Sequence, residues 1–359
     1  MAKPDTTETG SQLLYCRPGF EKECLADFRL QAATLGVEGY FKTTEGSGFV
    51  GFFPQSPEGS ATLQKQLRFH DLIFARQWIH VFAHLEALDP ADRITPIMAA
   101  LRPLGTRFSD VWLETADTND AKSLSAFLRK LAVPLRRALE AESLLGQPYL
   151  PRLHLFFVDS GSVALGVTDP NNAATWPMGI PRLRFPRGAP SRSTLKLDEA
   201  FQVFVRDPER ELAPAMTAVD LGAAPGGWTW QLVKRHIRTV AVDNGRLDPG
   251  LLDSGIVEHV REDGFRYRPV KPVDWLVCDM VEQPLRIANL VADWLALGLC
   301  RHAIFNLKLP MKQRHEMVMA CRASMERRLA ARGRRYRHLE FRQLYHDRAE
   351  ITGYISCPG

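Results

Sequence analysis

Apolar positions near the start of the chain recur with two periods, one typical of strands and one typical of helices. Residues 21–35 carry apolar side chains at helical spacing before Gly36, which predicts an amphipathic helix ending at that glycine. A second helix is predicted at residues 63–69. Short apolar runs around these helices predict four strands, at residues 13–16, 37–41, 48–53 and 73–82. The resulting order, β-α-β-β-α-β, is that of a ferredoxin-like unit.

A second group of elements follows in the front half of the chain. Asp89 and Pro90 match an N-cap followed by proline in the first turn, so a helix is predicted from there through Leu101. The next elements are predicted as a strand at 109–115, a helix at 122–142, and a hairpin of 153–158 with 163–167. The front half shows no catalytic constellation, and its scattered histidines are interpreted as structural: His70, His80, His84 and His154. We therefore expect it to bind or position a partner.

The pattern changes after residues 169–190, a stretch with five prolines that is interpreted as a linker. Beyond it, apolar strands alternate with helices. Strands are predicted at 216–221, 239–243, 256–260, 275–279 and 303–308, and helices at 228–235, 284–297 and 311–332. This alternation is typical of a mostly parallel, doubly wound sheet, which binds its ligands at the carboxyl ends of the strands.

These patterns together predict an α/β protein with a Rossmann-like C-terminal domain behind an α+β front module. The predicted division is a ferredoxin-like subdomain at 1–88, a second subdomain at 89–170, a linker at 171–190 and the Rossmann-like domain at 191–359. A chain of 359 residues with 45% hydrophobic and 24% charged residues is long enough for several cores.

The cysteine spacing and the apolar runs also bear on metal binding, disulfides and membrane association. The six cysteines form no CxxC pair, so neither a zinc knuckle nor a disulfide framework is indicated. The start of the chain shows no apolar signal segment, and the longest nearly apolar run, 290–300, is too short to span a bilayer. We expect a cytoplasmic monomer with no membrane association, no obligate protein partner and no metal.

Positive charge is concentrated in the last part of the chain. The net charge is +5, but residues from Arg301 onward carry 13 Lys and Arg against 5 Asp and Glu, so the first 300 residues carry a net −3. A second basic stretch without acids is formed by Arg182, Arg184, Arg187, Arg192 and Lys196. Clustered arginine suits a polyphosphate partner, although a solvated helix face is the alternative for 322–342. We expect the C-terminal excess to dock substrate beside the active site.

The first strand of the C-terminal domain leads into a glycine turn, Val219 to Thr229, reading VDLGAAPGGWT. Pro225 lacks an amide that a pyrophosphate would use, and Asp220 places a carboxylate nearby, which suits an ammonium better than a phosphate. Asp243 and Asp263 close the next two elements, where a carboxylate accepts ribose hydroxyls or reads a base. Three acids at successive strand ends favour a cationic nucleoside cofactor, S-adenosylmethionine, over NAD.

Four further charged residues stand at the same predicted rim. Asp279 and Lys308 end the fourth and fifth strands, Lys196 precedes the first, and Glu350 begins the last. Methyl transfer to a ribose hydroxyl needs a base held in line with the methyl group. A lysine can serve when a second ammonium lowers its pKa and a carboxylate orients it. Two lysines and two acids at one rim meet this need.

At these residues the chain resembles the bacterial ribosomal RNA large-subunit methyltransferase M family of 2'-O-ribose methyltransferases. The matching segments span nearly the whole chain and are LLYCRPGFEKEC, SRSTLK, VDLGAAPGGWTWQLV, VDNG, REDGF, VCDMVEQP, FNLKLPMK and RQLYHDRAEIT. The resemblance implies a THUMP module joined to a ferredoxin-like one, and 2'-O-methylation of a cytidine in 23S rRNA before full subunit assembly.

The resemblance also implies roles for individual residues. It implies a catalytic tetrad of Lys196, Asp279, Lys308 and Glu350, with Lys308 as the proton acceptor. It implies S-adenosylmethionine contacts from Ser193, Ala224, Pro225, Gly226, Gly227, Asp243, Asp263 and Asp279. Ala224 departs from the family pattern, in which a cysteine is expected, but backbone contacts do not depend on that side chain.

Two other functions stay open at this point. Cytosine C5 methylation would need a cysteine nucleophile, and Cys278 is the candidate, although a strand would point it away from Asp279. A non-catalytic rRNA-binding or assembly factor could keep the same fold, but the complete set of four charged residues argues against it.

Overall fold

A computed structural model describes residues 10–358 of the chain. These residues form two compact units, and the division falls between Pro181 and Arg182. Within the described part of the chain, no helix is both long enough and apolar enough to cross a membrane.

The first unit contains a seven-stranded sheet in the order β2-β3-β1-β4-β7-β6-β5. Its strands are Gln12–Cys16 (β1), Gly39–Lys42 (β2), Phe49–Pro54 (β3), Ala75–Leu85 (β4), Val111–Thr115 (β5), Arg152–Asp159 (β6) and Ser162–Thr168 (β7). Its helices are Glu21–Thr34 (α1), Pro57–Gln66 (α2), Ile94–Leu101 (α3) and Leu124–Ala141 (α4). The antiparallel order β2-β3-β1-β4 with α1 and α2 in the connections confirms the predicted ferredoxin-like topology.

One sheet joins the two groups of elements in this unit. β4 pairs with β1 along one edge and with β7 along the other, and the predicted β6-β7 hairpin lies beyond it. α4 covers this half with Leu128, Leu131, Leu135 and Leu139, which pack into the core at helical spacing. The sheet therefore continues across residue 88, and the subdomain boundary there stays a prediction.

Two helix starts in the first unit differ most from the sequence-based expectation. α2 begins at Pro57 rather than residue 63, because the Ser56 hydroxyl caps it by accepting from the Gly59 amide at 3.2 Å. α3 begins at Ile94 rather than near Asp89. The Asp89 carboxylate accepts from the amide of Ala91 in a tight turn, so Asp89 does not cap the helix.

Residues 169–181 have no strand or α-helix, as the proline content indicates, yet they pack within the first unit. The Asn172 side chain accepts from the Phe69 amide at 2.8 Å and donates to the Leu67 carbonyl at 2.8 Å. The Trp78 indole N–H donates to the Asn172 carbonyl. These hydrogen bonds fix the first part of the predicted linker to the sheet.

The second unit contains another seven-stranded sheet, in the order β10-β9-β8-β11-β12-β14-β13. Its strands are Thr217–Leu221 (β8), Arg238–Val242 (β9), Val257–Val260 (β10), Val273–Cys278 (β11), Cys300–Lys308 (β12), His338–Arg342 (β13) and Glu350–Ser356 (β14). Its helices are Thr194–Phe204 (α5), Pro208–Glu211 (α6), Gly227–Val233 (α7), Pro249–Leu252 (α8), Pro284–Ala296 (α9) and Arg314–Ala331 (α10).

The five strands from β10 to β12 are parallel, and β14 and β13 run antiparallel to their neighbours. This confirms the predicted α/β fold with a mostly parallel, doubly wound sheet. Aromatic side chains dominate the core on the α5 side, where Phe201, Trp228, Trp275 and Tyr354 pack together. Because β14 is antiparallel, its first residue lies at the edge where β11 and β12 end.

Candidate active site

Four charged side chains meet at that edge of the second sheet. Lys308 Nζ lies 2.5 Å from Asp279 Oδ1 and also donates to Glu350 Oε2. Lys196 Nζ lies 2.7 Å from Glu350 Oε1 and 3.7 Å from Asp279 Oδ2. Each lysine therefore contacts both carboxylates, and the four groups form a ring of alternating charge, which we call the charged ring.

The fold explains why these residues meet. Lys308 is the last residue of β12 and is the direct cross-strand partner of Glu350, the first residue of β14. Asp279 directly follows β11, which lies beside β12. Lys196 comes from the first turn of α5. Three strand termini and one helix thus supply the ring, so rigid elements hold all four groups.

A buried acid ties α5 to the loop before Glu350. The Glu199 carboxylate accepts hydrogen bonds from the backbone amides of Tyr345 and His346 at 2.8 and 2.9 Å, and it lies 2.7 Å from His346 Nδ1. Glu199 stands one helical turn after Lys196. It therefore fixes the loop that leads to Glu350 relative to the helix that carries Lys196.

The ring is mostly shielded from solvent, since its side chains are 12–24% exposed. Burial lowers the pKa of Lys308, but Asp279 and Glu350 outweigh this effect and raise it above the ordinary lysine value. Burial raises the pKa of Glu350, and the two lysines reverse this and lower it. The expectation that a second ammonium lowers the pKa of Lys308 is wrong in this arrangement, because Lys196 pairs with Glu350 and Asp279.

A cleft of about 600 Å³ opens beside the ring at the ends of β8, β9 and β11. Asp279 belongs to both the cleft and the ring. Other residues that line the cleft are Gly222, Ala224, Val242, Asp243, Asn244, Glu262, Asp263, Gly264, Phe265, Met280, Val281, Glu282 and Arg286. Four of the lining residues are acids in addition to Asp279, and the one basic residue, Arg286, is paired with Glu282.

Glycine at two positions allows the Met280 side chain to pack closely against the turns that line this cleft. A Cβ at Gly222, where φ is +80°, would come within 2.7 Å of the Met280 side chain, and one at Gly264 would come within 2.8 Å of its sulfur. Asp243 orders the turn beside them, because its carboxylate accepts from the amides of Ala224 and Gly245 at 3.1 and 2.7 Å. Each of its oxygens keeps a further acceptor site for a ligand.

Nearly the whole chain is similar to known proteins. Family models match residues 10–79 as an RlmM ferredoxin-like domain, residues 92–169 as ribosomal RNA large subunit methyltransferase M, N-terminal, and residues 189–342 as an FtsJ-like methyltransferase. The ribosomal RNA large subunit methyltransferase M of Methylococcus capsulatus is 59% identical over 97% of this chain and 99% of its own length. The chain belongs to the ribosomal RNA large subunit methyltransferase M family. The Cellvibrio japonicus relative of the same name is 52% identical over 95% of this chain and 98% of its own.

Within this methyltransferase family fold, the predicted site residues fall into three places. Lys196, Asp279, Lys308 and Glu350 form the ring. Ala224, Asp243, Asp263 and Asp279 line the cleft. Ser193, Pro225, Gly226 and Gly227 do not line it. A Cβ at Gly227 would clash with the hydroxyls of Ser191 and Ser193, so this turn packs against the segment before α5. The cofactor contacts of these four stay a prediction.

Asp220 does not stand at the cleft as expected. It lies inside β8, fully buried, where its Oδ2 accepts from the Thr229 hydroxyl at 2.7 Å. Burial raises its pKa to about 7. Cys278 is also fully buried, and burial raises the pKa of its thiol to about 12. Neither residue lines the cleft.

The cleft also contains residues that the sequence reasoning missed. Asn244, Phe265, Met280 and Val281 each lie within two residues of a strand-end acid, so proximity in sequence was an available signal. Arg286 lies in α9 and pairs with Glu282 at i,i+4 spacing, which the sequence contains, but no local pattern indicates that it stacks on the Phe265 ring at 4.5 Å. Among residues 10–358, no three His, Cys, Asp or Glu side chains are placed to hold a metal ion.

Proposed function

We propose that the chain transfers a methyl group from S-adenosylmethionine to the ribose 2'-hydroxyl of a cytidine in 23S rRNA. The observation that carries this proposal is the charged ring beside the cleft, with Lys308 held between Asp279 and Glu350. Such a group, fixed at a strand end beside a ligand cleft, is suited to orienting a hydroxyl and accepting its proton.

The cleft fits a cationic nucleoside cofactor. Its lining is acidic, and its one arginine is neutralised by Glu282. An anionic dinucleotide would meet repulsion there, whereas a sulfonium and an α-ammonium are attracted. In this proposal Asp243 accepts the ribose hydroxyls, Asp263 contacts the base, and Asp279 holds the positive end. S-adenosylmethionine supplies an electrophilic methyl group on a sulfonium.

Lys308 acts as the base in this proposal. Because its pKa is raised, it must first release its own proton. Between two carboxylates it holds a proton at neutral pH. Extra positive charge in the cleft beside Asp279 weakens this hold, since a cation near an ammonium lowers its pKa. Lys308 then releases its proton to solvent through its exposed portion and accepts the proton of the ribose hydroxyl. Lys196 and Glu350 keep Lys308 in place during this exchange.

The structure argues against cytosine C5 methylation. The only cysteine next to the site is Cys278 among the described residues, and its thiol is buried within β11 with a raised pKa. A nucleophilic cysteine needs an accessible sulfur and a thiolate. An assembly factor without catalysis would not need two lysines and two carboxylates in contact, a costly arrangement in a half-buried place.

The remaining parts of the proposal concern the partner. We propose that the first unit, with its ferredoxin-like and THUMP-like parts, binds rRNA largely by shape. We further propose that the protein acts as a monomer in the cytoplasm, on rRNA that is not yet fully assembled into the subunit.

A labelled-methyl experiment tests the proposal. The enzyme is incubated with S-adenosylmethionine carrying an isotopic methyl group and with 23S rRNA from cells that lack the enzyme. The rRNA is then digested to nucleosides for mass spectrometry. We expect label in 2'-O-methylcytidine and none after Lys308→Ala substitution. Label on a base, or no transfer by the unsubstituted enzyme, would overturn the proposal.

A further inference from the structure

The segment from Arg327 to Arg337 carries an unusual charge. It contains six arginines and no acid, so its charge is larger than the net charge of +5 of the entire chain. The residues outside the segment therefore carry a net −1. Arg328 is neutralised by Asp293 at 2.7 Å. Arg332, Arg335 and Arg337 are exposed, and none makes an ion pair with another described residue. We call these three residues the arginine patch.

The patch lies at the end of the second sheet opposite to the charged ring. The Arg337 amide donates to the Ser356 carbonyl at 2.7 Å, and Ser356 is the last residue of β14. Glu350 of the ring is the first residue of the same strand. Six residues of extended chain separate the two ends by about 20 Å. The expectation that the C-terminal positive charge lies beside the active site is therefore wrong for these arginines.

We propose that the arginine patch binds RNA phosphates at a distance from the methylated nucleotide. This rests on the proposed function. Exposed guanidinium groups without acid partners repel one another, and a polyphosphate relieves this repulsion while it releases counterions. RNA that reaches both ends of the sheet is an extended or folded segment rather than a few nucleotides. The patch thus selects for a large rRNA substrate and adds affinity without touching the reacting atoms.

The test compares three variants by filter binding of the 23S rRNA and by methyl-transfer kinetics. Combined Arg332→Ala, Arg335→Ala and Arg337→Ala should weaken RNA binding about tenfold and flatten the plot of log affinity against log salt by about 2. KM for rRNA should rise with kcat and cofactor affinity unchanged. The corresponding Arg→Lys variant, which keeps the charge, should restore most of the affinity.

The matched control removes three exposed positive charges from the other flank of the same unit, by Lys234→Ala, Arg238→Ala and Lys271→Ala. It should change RNA affinity much less. An equal loss in the control would show that only net charge matters, and unchanged binding in the patch variant would remove the patch from the interface. Absence of methyl transfer by the unsubstituted enzyme would instead overturn the proposed function, because RNA binding is measured separately.

Two exposed apolar side chains lie at the end of the second sheet that carries the charged ring. Val281 and Met311 are large apolar side chains that are 89% and 91% exposed. Val281 follows Asp279 by two residues and lines the cleft, and Met311 follows Lys308 by three. Each therefore belongs to the short loop that leaves a residue of the charged ring. Both side chains are therefore available to a ligand that lies beside the ring.

We infer that Val281 and Met311 contact the base of the target nucleotide and hold it next to the ring. Base faces bind well to flat or flexible apolar surfaces, and methionine adapts its shape to them. This inference also rests on the proposed function. The side chains act on position rather than on proton transfer, so their loss should affect RNA use more than cofactor use.

Val270 provides the control, because it is fully exposed but precedes β11 at the far end of that strand. Met311→Ser should raise KM for rRNA severalfold and leave the Kd for S-adenosylmethionine unchanged, because Met311 does not line the cleft. Adding Val281→Ser should raise KM further, whereas Val270→Ser should change neither constant. A weakened cofactor affinity in Met311→Ser would place this residue on the cofactor instead. An unchanged KM would overturn the inference.

Discussion

Each of the two sheets carries a cluster of polar side chains, and the clusters differ in exposure. In the first unit, Glu114 Oε2 accepts from the Tyr15 hydroxyl at 2.8 Å and lies 2.7 Å from His154 Nδ1. His154 Nε2 lies 2.9 Å from the Thr168 hydroxyl. Glu114 and His154 are fully buried. The charged ring of the second unit is instead partly open and borders a cleft.

The first cluster is a buried polar group that stabilises the fold, whereas the second is accessible enough to take part in a reaction. The Glu114 cluster lies within a sheet, and Glu114 Oε1 also accepts from the Met178 amide, so both oxygens are satisfied. No ligand can reach it. The charged ring lies where parallel strands end, so its groups can exchange a protein partner for a substrate hydroxyl. These hydrogen bonds agree with the prediction that His154 is structural. A histidine by itself therefore does not indicate a catalytic site in this unit.

The largest expected effect comes from Lys308→Ala. Removing the proposed base should lower the single-turnover methyl-transfer rate by about a thousandfold or more. Calorimetry should show nearly unchanged affinity for S-adenosylmethionine, because Lys308 does not line the cleft. A variant that keeps a tenth of the rate would show that another group takes the proton.

Glu114→Leu tests the other cluster. It leaves the Tyr15 hydroxyl, His154 and the Met178 amide without their acceptor, so the free energy of unfolding of the first unit should fall by about 3 kcal/mol. Denaturant titration measures this loss, and kcat below the unfolding range should be unchanged. A large fall in kcat in folded protein would mean that the cluster takes part in the reaction.

A smaller effect is expected from Asp243→Ala in the cleft. Loss of the proposed ribose acceptor and of the turn that Asp243 orders should weaken S-adenosylmethionine binding about tenfold, or about 1.4 kcal/mol. Asp248→Ala is the control, because Asp248 bonds the Gly250 amide in an exposed turn of the same region and does not line the cleft. Equal Kd values in Asp243→Ala and the unsubstituted enzyme would exclude the contact.

The sequence predicts the charged ring well for a simple physical reason. Parallel strands end at one edge, so acids and lysines at the ends of apolar runs meet there, as Asp279 and Lys308 do. The ferredoxin-like order of strands and helices likewise follows from the local spacing of apolar residues. These features depend on short stretches of chain and on a topology with few alternatives.

Other features depend on contacts that sequence spacing does not contain. The pKa of Lys308 depends on which of its neighbours is closest, and two carboxylates outweigh Lys196. Asp220 is buried because its side chain faces Thr229 of α7, which a strand-end position does not reveal. The arginines near residue 335 were expected beside the ring, but α10 returns along the sheet and brings them to the other end.

The pH dependence of single-turnover methyl transfer tests the central claim, that Lys308 is the base, most directly. Asp279 and Glu350 raise its pKa above the ordinary lysine value, so Lys308 is mostly protonated near neutral pH, and its neutral fraction should increase about tenfold per pH unit there. The rate should rise with a slope near one in log units between pH 7 and 9 at saturating substrates. Glu350→Gln removes one negative charge, lowers this pKa and should shift the profile to lower pH. A flat profile, or one that Glu350→Gln leaves in place, would contradict the account.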